Sequence, residues 1–424
     1  MVISLSPLLN FIFHIRGGSK SDISKLLSQT AVLKLNGGLG TSMGLEKAKS
    51  LLEIKSGITF LDIIVKQILY MRKKYGASVR FILMNSFSTS DDTMTYIKEK
   101  YPDLALEEGI ELMQNMAPKV DTDTLGPVYW PKNRDLEWCP PGHGDLYPSL
   151  LGTGMLQKLQ SSGIKYLFVS NSDNLGATLD LDLLQHFASS GYGFMMEVAS
   201  RTAADKKGGH LAKRIVDGKF VLRESAMVAD SDKEFFQDIQ KHKFFNTNNL
   251  WVELNALKST MDINGGVVPL PLIKNKKTVD PRLKASTPVV QLETAMGSAI
   301  TSFDNAGAIL VPRTRFAPVK TCTDLFVLRS DAYRISRDNR ILLSSQYSPV
   351  VSLSDEYKVI DDLDKLVPSP PSLVGCISLK VSGPVSIRPN VVFQGNCKLT
   401  NKTDKVLTIP GGDYMDLQQE FESN

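Results

Sequence analysis

Residues 31–50 read AVLKLNGGLGTSMGLEKAKS, and the fold is decided here. Residues 31–35 are an apolar run with the length and Val/Leu content of a buried strand. The run breaks into Asn36-Gly37-Gly38-Leu39-Gly40-Thr41-Ser42-Met43-Gly44. Glycines at 37, 38, 40 and 44 are expected to let the backbone take φ > 0 and to bring bare N–H groups close to a ligand. Such a turn at a strand end is an anion cradle, because successive amides point into one concavity. Lys49 stands just beyond it, where an ammonium reaches a phosphate held by the loop. Taken alone, the glycines also fit a tight turn with no ligand.

Two familiar nucleotide loops fail on spacing. The third glycine of a dinucleotide fingerprint begun at Gly38-Leu39-Gly40 would fall at Met43, one residue short of Gly44. The Walker pattern needs Gly-Lys-Ser/Thr, and Gly44 is followed by Leu45.

The 424 residues, 42% hydrophobic and 22% charged, suffice for one large domain and a smaller one. A net charge of +4, without Lys/Arg runs interleaved with aromatics, argues against nucleic acid as a partner. Cys139, Cys322, Cys376 and Cys397 are far apart with no C-x-x-C pair, which points to reduced thiols in a cytoplasmic protein. The apolar patch at residues 8–15 is interrupted by Asn10 and has neither a basic lead nor a cleavage site, so a packed N-terminal helix is expected. No segment has transmembrane length, and no membrane partner is expected.

Outward from the loop, residues 59–75 carry Leu61, Ile64, Val65 and Ile68 at helical spacing. Residues 79–85 (VRFILMN) and 166–169 read as strands buried on both faces, with a helix at about 147–159 before the second. Residues 121–145 read as a long ordered loop. Alternating strand and helix predicts an α/β fold with a mostly parallel sheet covered by helices. GFMMEVAS and RIVDGKFVLRES read as antiparallel strands, the latter a hairpin turning at Asp217-Gly218. Residues 291–303 read as helix and 308–312 as a short strand. Past residue 340, short β-rich pieces recur near every six residues at Leu379, Val385, Val391 and Cys397, as in a β-helix. The expected division is a short segment 1–30, a catalytic domain 31–340 and a C-terminal domain 341–424.

Several polar clusters carry chemistry. His143 lies between glycines in PPGHGD, which argues for close backbone approach to a ligand rather than a core role. Ser170-Asn171-Ser172-Asp173-Asn174 follows directly on a predicted strand, where open α/β sheets bind ligands. Asp173 offers the hard oxygen that Mg²⁺ pairs with phosphates, although an Asx turn is the alternative. Asn246-Thr247-Asn248-Asn249 is an amide cluster suited to hydroxyl-rich ligands. Glu293, read at a helix start, either caps that helix or binds a sugar hydroxyl. Arg313, Arg315 and Lys320 put three cations in eight residues beside a strand end and read as an anion site.

The motifs LNGGLGTSMG, LMNSF, LMQNMAPK, PPGHGD, SNSDNLGAT, KKGG, FNTNNLW, NKKTVD, QLETAMG and RFAPVKT, in that order, resemble those of the UTP–glucose-1-phosphate uridylyltransferases. The resemblance runs from about residue 31 nearly to the C-terminus. It implies a nucleotidyltransferase domain followed by a small left-handed β-helix. By the same likeness Leu35, Asn36, Gly37 and Gly38 hold the nucleotide, and Gln114 and Gly142 read the uracil. His143, Asn171, Ser172, Asp173 and Asn248 hold the sugar phosphate, with Glu293 on a glucose hydroxyl. Lys49 and Lys320 contact the phosphates as the catalytic cations, and Asp173 holds Mg²⁺.

The implied reaction is UTP plus glucose 1-phosphate giving UDP-glucose and pyrophosphate, by direct in-line displacement. An N-acetylglucosamine 1-phosphate enzyme would carry a loop closer to LAGGQGTRLG. A catalytically dead sensor is disfavoured by the retained Lys49, Asp173 and Lys320. Members of that family usually have a longer helical region before the loop, and octamer-forming ones continue with a further apolar coil after the β-helix. Here residues 406–410 read as the last coil, and Pro410 with acidic Asp416, Glu420 and Glu422 blunts the open sheet edge, so a monomer is expected.

Overall fold

The run at 31–35 forms the strand Thr30–Asn36, whose Ala31, Val32 and Leu33 are fully buried, as an apolar segment covered on both faces requires. The structure is a computed structural model that describes residues 2–3 and 19–422. The patch at 8–15, expected to pack as a helix, lies outside the described residues. Contacts divide the chain into two compact units. The first comprises Met1–Gly37, Met71–Ser172 and Ala177–Phe316; the second comprises Gly38–Tyr70, Asp173–Gly176 and Ala317–Asn424.

The first unit is built on a ten-stranded mixed sheet. At its centre Thr30–Asn36 pairs in parallel with Arg80–Asn85 on one side and Tyr166–Asn171 on the other. Glu111–Met113 extends the parallel part, while Phe244–Glu253 runs antiparallel to Tyr166–Asn171 and to Phe194–Ser200. The expected hairpin forms from His210–Arg214 and Phe220–Arg223. Helices including Leu146–Gly152, Met155–Ser161 and Leu254–Ile263 supply the apolar layer over one face, where Leu33, Val169, Leu250 and Met196 meet Leu150, Leu156 and Leu257. The single helix predicted over 147–159 is split in two, because Gly154 takes φ 73° and restarts the chain in a new direction. The 121–145 segment is largely irregular, as expected, with a 3₁₀ turn at Arg134–Glu137.

Side chains alternate across a sheet, so the neighbours of those core residues face the opposite way. There the sheet buries charge. Glu197, wholly inaccessible, accepts from Arg315 Nε at 2.7 Å and from the Arg315 terminal nitrogen at 2.7 Å. It also accepts from Asn249 Nδ2 at 3.0 Å and Trp251 Nε1 at 2.9 Å. Burial works against a charged Arg315, yet the Glu197 charge and hydrogen bonds raise its pKa overall.

The 291–303 segment departs from expectation. Pro288–Thr294 is a strand, paired along its length with Leu272–Thr278, and only Met296–Ser302 turns, as a 3₁₀ helix. The β-branched Val289 and Val290 favour the strand, and its ladder partner lies outside the reach of local periodicity. Leu272–Thr278 is an edge strand of this three-stranded sheet, and Lys274, Lys276 and Lys277 give it the charge that discourages edge pairing.

In the second unit Leu61, Ile64, Val65 and Ile68 are buried on the helix Phe60–Tyr75 as their spacing predicts. Val350–Leu353, Cys376–Ser382 and Val391–Asn401 stack as parallel rungs, and Val385–Ile387 stacks on Leu407–Ile409. Leu379, Val385, Val391 and Cys397 are all buried within this stack. The coil at 406–410 is not the last rung. Gly412–Met415 and Gln418–Phe421 both pair in parallel with Val391–Asn401, because Pro410 falls between strands and removes no ladder donor. Nor are the tail acids free charges: Lys402 bridges Glu420 and Glu422, and Asp416 accepts from the Asn396 amide at 2.7 Å.

The expected boundary at residue 340 differs from this division, in which residues 317–340 and the loop segment 38–70 share a unit with the rungs. Side-chain ties explain it. Lys55 Nζ donates to the carbonyls of Ser330 and Tyr333, Gln67 to Asn339 O, and Arg329 pairs with Asp364 at 2.5 Å. Among the described residues no helix is long and apolar enough to cross a membrane.

The Glu197–Arg315 pair yields a stability prediction. Glu197→Ala leaves a buried guanidinium uncompensated and should lower the unfolding free energy by roughly 3–5 kcal/mol. Chemical denaturation checks this; a loss below about 1 kcal/mol would show that water or another group relieves the arginine.

Candidate active site

The parallel register fixes the candidate residues of the first unit. Asn36 pairs with Asn85 and Leu35 with Asn171, so three strands end at one level with polar residues at their tips. Asn36 Nδ2 donates to Asn85 Oδ1 at 2.7 Å and to Thr93 Oγ1 at 3.0 Å, while its buried Oδ1 has no hydrogen-bond partner. Ser172 N donates to Leu35 O at 3.1 Å, and Ser86 Oγ to Gly37 O at 2.9 Å.

Gly37, Gln114 and Gly142 come together. Gln114 Nε2 donates to Gly142 O at 2.7 Å, and a Cβ on Gly37 would lie 2.5 Å from Gln114 Oε1. Gly142 has φ 82° and ψ 171°, a region open essentially to glycine alone. A Cβ there would also meet the Thr294 carbonyl at 2.6 Å.

This close approach sets Glu293 beside the PPGHGD turn, since Thr294 N donates to Pro141 O at 2.9 Å. Glu293 therefore sits on a strand and caps no helix; its Oε1 accepts from Asn275 Nδ2 at 3.1 Å. His143 Nδ1 accepts from Met296 N at 3.1 Å, which leaves Nε2 to carry the proton and donate. Burial pushes its pKa down to about 4, so the ring is a neutral donor at physiological pH.

Asn248 is re-aimed by a bulge. The pairing of Phe194–Ser200 with Phe244–Glu253 shifts between Glu197 and Val198, and Asn248 takes φ 59°. The strained residue is held by Asn246, which donates to Asn248 Oδ1 and accepts from its amide, both at 2.9 Å.

The second unit carries Gly38, Lys49, Asp173 and Lys320. Lys49 Nζ lies 2.8 Å from Asp173 Oδ2, and Lys49 N donates to Gly38 O at 3.3 Å. Val319 N donates to Asp173 O at 3.1 Å, which brings the residue before Lys320 against the same aspartate. Lys320 N donates to Asp324 Oδ2 at 2.8 Å, at the start of the helix Cys322–Arg329, and its side chain is exposed.

Two expectations need correction. Of the four loop glycines only Gly40 and Gly44 have φ > 0, whereas Gly37 is required for close approach, since a Cβ there would meet Gln114 Oε1. The cluster Arg313, Arg315 and Lys320 is not one anion site: Arg313 pairs with Asp205 at 2.8 Å and Arg315 with Glu197, leaving Lys320.

The sequence reading also missed Asp145 and Asn115. Asp145 accepts from Asn115 N at 2.6 Å, Asn115 Nδ2 at 3.0 Å and Ser149 Oγ at 2.9 Å, tying the PPGHGD turn to the segment after Gln114. A carboxylate directly ahead of a helix was the available signal. Among the described residues no three His, Cys, Asp or Glu side chains gather as a metal site. Asp173 Oδ1, however, is buried without a hydrogen-bond partner, as suits a single carboxylate ligand for a cation held mainly by phosphates.

Comparison with known proteins gives a consistent result. The family described as UTP--glucose-1-phosphate uridylyltransferase matches residues 12–394. A UTP--glucose-1-phosphate uridylyltransferase of Solanum tuberosum is 40% identical over 397 residues, covering 92% of this chain and 81% of the relative. The structure is similar to a UDP-glucose phosphorylase from Trypanosoma brucei, with TM-score 0.90 and 45% identity over 99% of this chain and 90% of that one. It is also similar to a mutant UDP-glucose pyrophosphorylase from Leishmania major in complex with UDP-glucose. There the TM-score is 0.87 with 47% identity, covering 94% of this chain and 86% of that one.

The depressed pKa of His143 gives a pH prediction. The folded chain binds fewer protons than the unfolded one between the usual 6.5 and about 4, so stability is lost as pH falls through that window. Relative to His143→Gln, the parent should lose up to about 3 kcal/mol between pH 7 and 4. Parallel stability curves for the two proteins would refute the assignment.

Proposed function

The chain belongs to the UTP–glucose-1-phosphate uridylyltransferase family, and from that premise we propose that it transfers the uridylyl group of UTP to glucose 1-phosphate, giving UDP-glucose and pyrophosphate. The observation that carries the reading is the meeting of Gln114 with Gly142 and Gly37 at the tip of the central strand. An amide side chain held there has both a donor and an acceptor for the edge of uracil.

Leu35, Asn36, Gly37 and Gly38 hold the nucleotide, and the unpartnered Asn36 Oδ1 is an acceptor waiting for a donor. His143, Asn171, Ser172, Asp173 and Asn248 hold the sugar phosphate. His143 does so as a neutral donor through Nε2, and Glu293, reached over the PPGHGD turn, takes a glucose hydroxyl. A phosphate oxygen of glucose 1-phosphate attacks the α-phosphorus of UTP in line; the new O–P bond forms as the bond to pyrophosphate breaks. No side chain becomes covalent. The protein's work is to position two polyanions and neutralise charge, and Lys49 and Lys320 are the cations for it. Mg²⁺ fits Asp173, whose Oδ1 lacks a partner, and when bound it offsets the charge of the substrate phosphates.

The stacked C-terminal rungs wind as a left-handed β-helix, and the protein is a cytoplasmic monomer that engages neither nucleic acid nor membrane. Four unpaired, buried cysteines suit a reducing compartment. The acids of the last rung, paired across to Lys402, leave the sheet edge charged.

Mass-spectrometric product analysis with UTP and a panel of sugar 1-phosphates tests the reaction. UDP-glucose and pyrophosphate are expected as the dominant products, and preference for another sugar would overturn the assignment. In the same assay Lys49→Ala and Lys320→Ala should each lower kcat by about two orders of magnitude, and Gln114→Ala should relax the refusal of CTP and ATP. Near-parental turnover in both lysine variants would remove them from the chemistry. For assembly, light scattering after size exclusion should give a mass near the 46.8 kDa of one chain; a stable species several times heavier contradicts the monomer.

A further inference from the structure

One cation next to the nucleotide loop has no part in the scheme above. Lys34 lies two residues before Asn36, yet its side chain is 3% exposed, on the sheet face opposite the apolar layer. Its Nζ donates to Ser170 Oγ at 2.7 Å and to the Ala177 carbonyl at 2.7 Å. Those two residues are the entry and exit of the 171–176 turn, which carries Asn171 and Ser172. Register puts the ammonium there: Lys34 pairs with Ser170 across the parallel ladder. Val169 pairs with Leu250, so Ser170 is followed across the sheet by Asn249, and Asn249 pairs with Glu197. A polar row Lys34–Ser170–Asn249–Glu197 thus crosses four adjacent strands, one step before the end of Tyr166–Asn171. Arg315, bound to Glu197, adds a second tie by donating to Thr178 O at 3.1 Å.

We propose that Lys34 is a positioning residue for the sugar phosphate: it straps the two ends of the 171–176 turn together and so fixes where Asn171 and Ser172 stand. A lysine is an expensive choice for packing alone. Burial, and then the neighbouring Arg315, pull its pKa down to about 7 against the opposing pull of Glu197. A methionine would fill similar space without that cost. What methionine cannot do is hold an oxygen at each end of a turn. The two bonds hold both ends of the turn to one side chain, so their loss lets the ends separate without unfolding the strands.

The proposal rests on the uridylyltransferase reading for the identity of the ligand, not for the strap itself, and two measurements separate them. The first is amide hydrogen exchange on the intact protein. Lys34→Met should speed exchange across 171–176 by about tenfold or more, with little change in the flanking strands. The second is kinetics. Lys34→Met should raise KM for glucose 1-phosphate about tenfold and lower kcat comparably, since a misplacement of about 1 Å is that costly. The equilibrium Kd for UTP should stay within about twofold. Ser170→Ala, which keeps the tie to Ala177, should move both readouts in the same direction by about threefold, and it decides the matter if Lys34→Met does not fold. Exchange at 171–176 unchanged in the folded variants overturns the strap. Equal losses for UTP and glucose 1-phosphate overturn the positioning role and leave a purely structural one. If exchange rises while the parent protein fails to use glucose 1-phosphate, the strap stands and the substrate assignment falls.

Discussion

The backbone hydrogen bonds that hold Thr30–Asn36 between Arg80–Asn85 and Tyr166–Asn171, all three parallel, bring Asn36 level with Asn85 and Leu35 level with Asn171. Parallel pairing leaves no freedom in this. Once the apolar stretches are buried on both faces, a slip of one residue would turn every side chain to the wrong side. The strands must therefore end together, and their tips are the first positions at which polar side chains can leave the core. Asn36, Asn85, Ser86, Asn171 and Ser172 collect there for that reason, as ligand-binding residues of open α/β sheets do. The turns that leave these tips are then tied to one another through Ser86 to Gly37, Ser172 to Leu35 and Gln114 to Gly142.

The same register has a cost on the other face. Lys34, Ser170, Asn249 and Glu197 fall in one row, and a buried row of charge is tolerated only when every member is satisfied. Glu197 meets this with four donors from Arg315, Asn249 and Trp251. The pair does not make the fold more stable than an apolar core would. It sets one arrangement of Arg315 and, through Thr178, of the chain leaving the 171–176 turn. The buried charge is better understood as orienting the tips than as stabilising the sheet.

What could be read in the sequence was what local pattern controls. The strand at 31–35, the helix from Phe60, the hairpin at Gly218 and the inward Leu379, Val385, Val391 and Cys397 each follow from a short period of apolar residues. What escaped was set by partners distant in the chain. Pro288–Thr294 is a strand because Leu272–Thr278 lies beside it. Arg313 and Arg315 looked like free cations because Asp205 and Glu197 are more than a hundred positions away. Lys55, Gln67 and Arg329 draw the segments 38–70 and 317–340 into the unit of the C-terminal rungs, which composition does not record. The residue types at the candidate site were legible because they stand in short glycine and amide clusters that follow predicted strands. The supports behind them, Asp145 and Asn115, look like any polar pair until the turn is folded.

Backbone strain separates the two kinds of position once more. Among the described residues the non-glycines with φ > 0 are Ser56, Leu125, Asn248, Asn339, Asn390 and Asp416. Four of these lie in turns or bends, where such a conformation relieves a reversal of direction, Leu125 lies in the link between a turn and a bend, and Asn248 alone lies within a strand. A strand gains nothing from it: the bulge interrupts the ladder with Phe194–Ser200 and costs of order 1–3 kcal/mol. Asn246 holds the strained residue by two hydrogen bonds, and the strand resumes at once with Asn249 paired to Glu197. Gly142 shows the same behaviour on another element, adopting a conformation closed to other residues so that the turn bearing His143 can touch Thr294. In both places the chain accepts local strain that packing does not require and fixes it with neighbours. What the two places share is a polar side chain fixed by a neighbour, Asn248 by Asn246 in one case and His143 by the Met296 amide in the other.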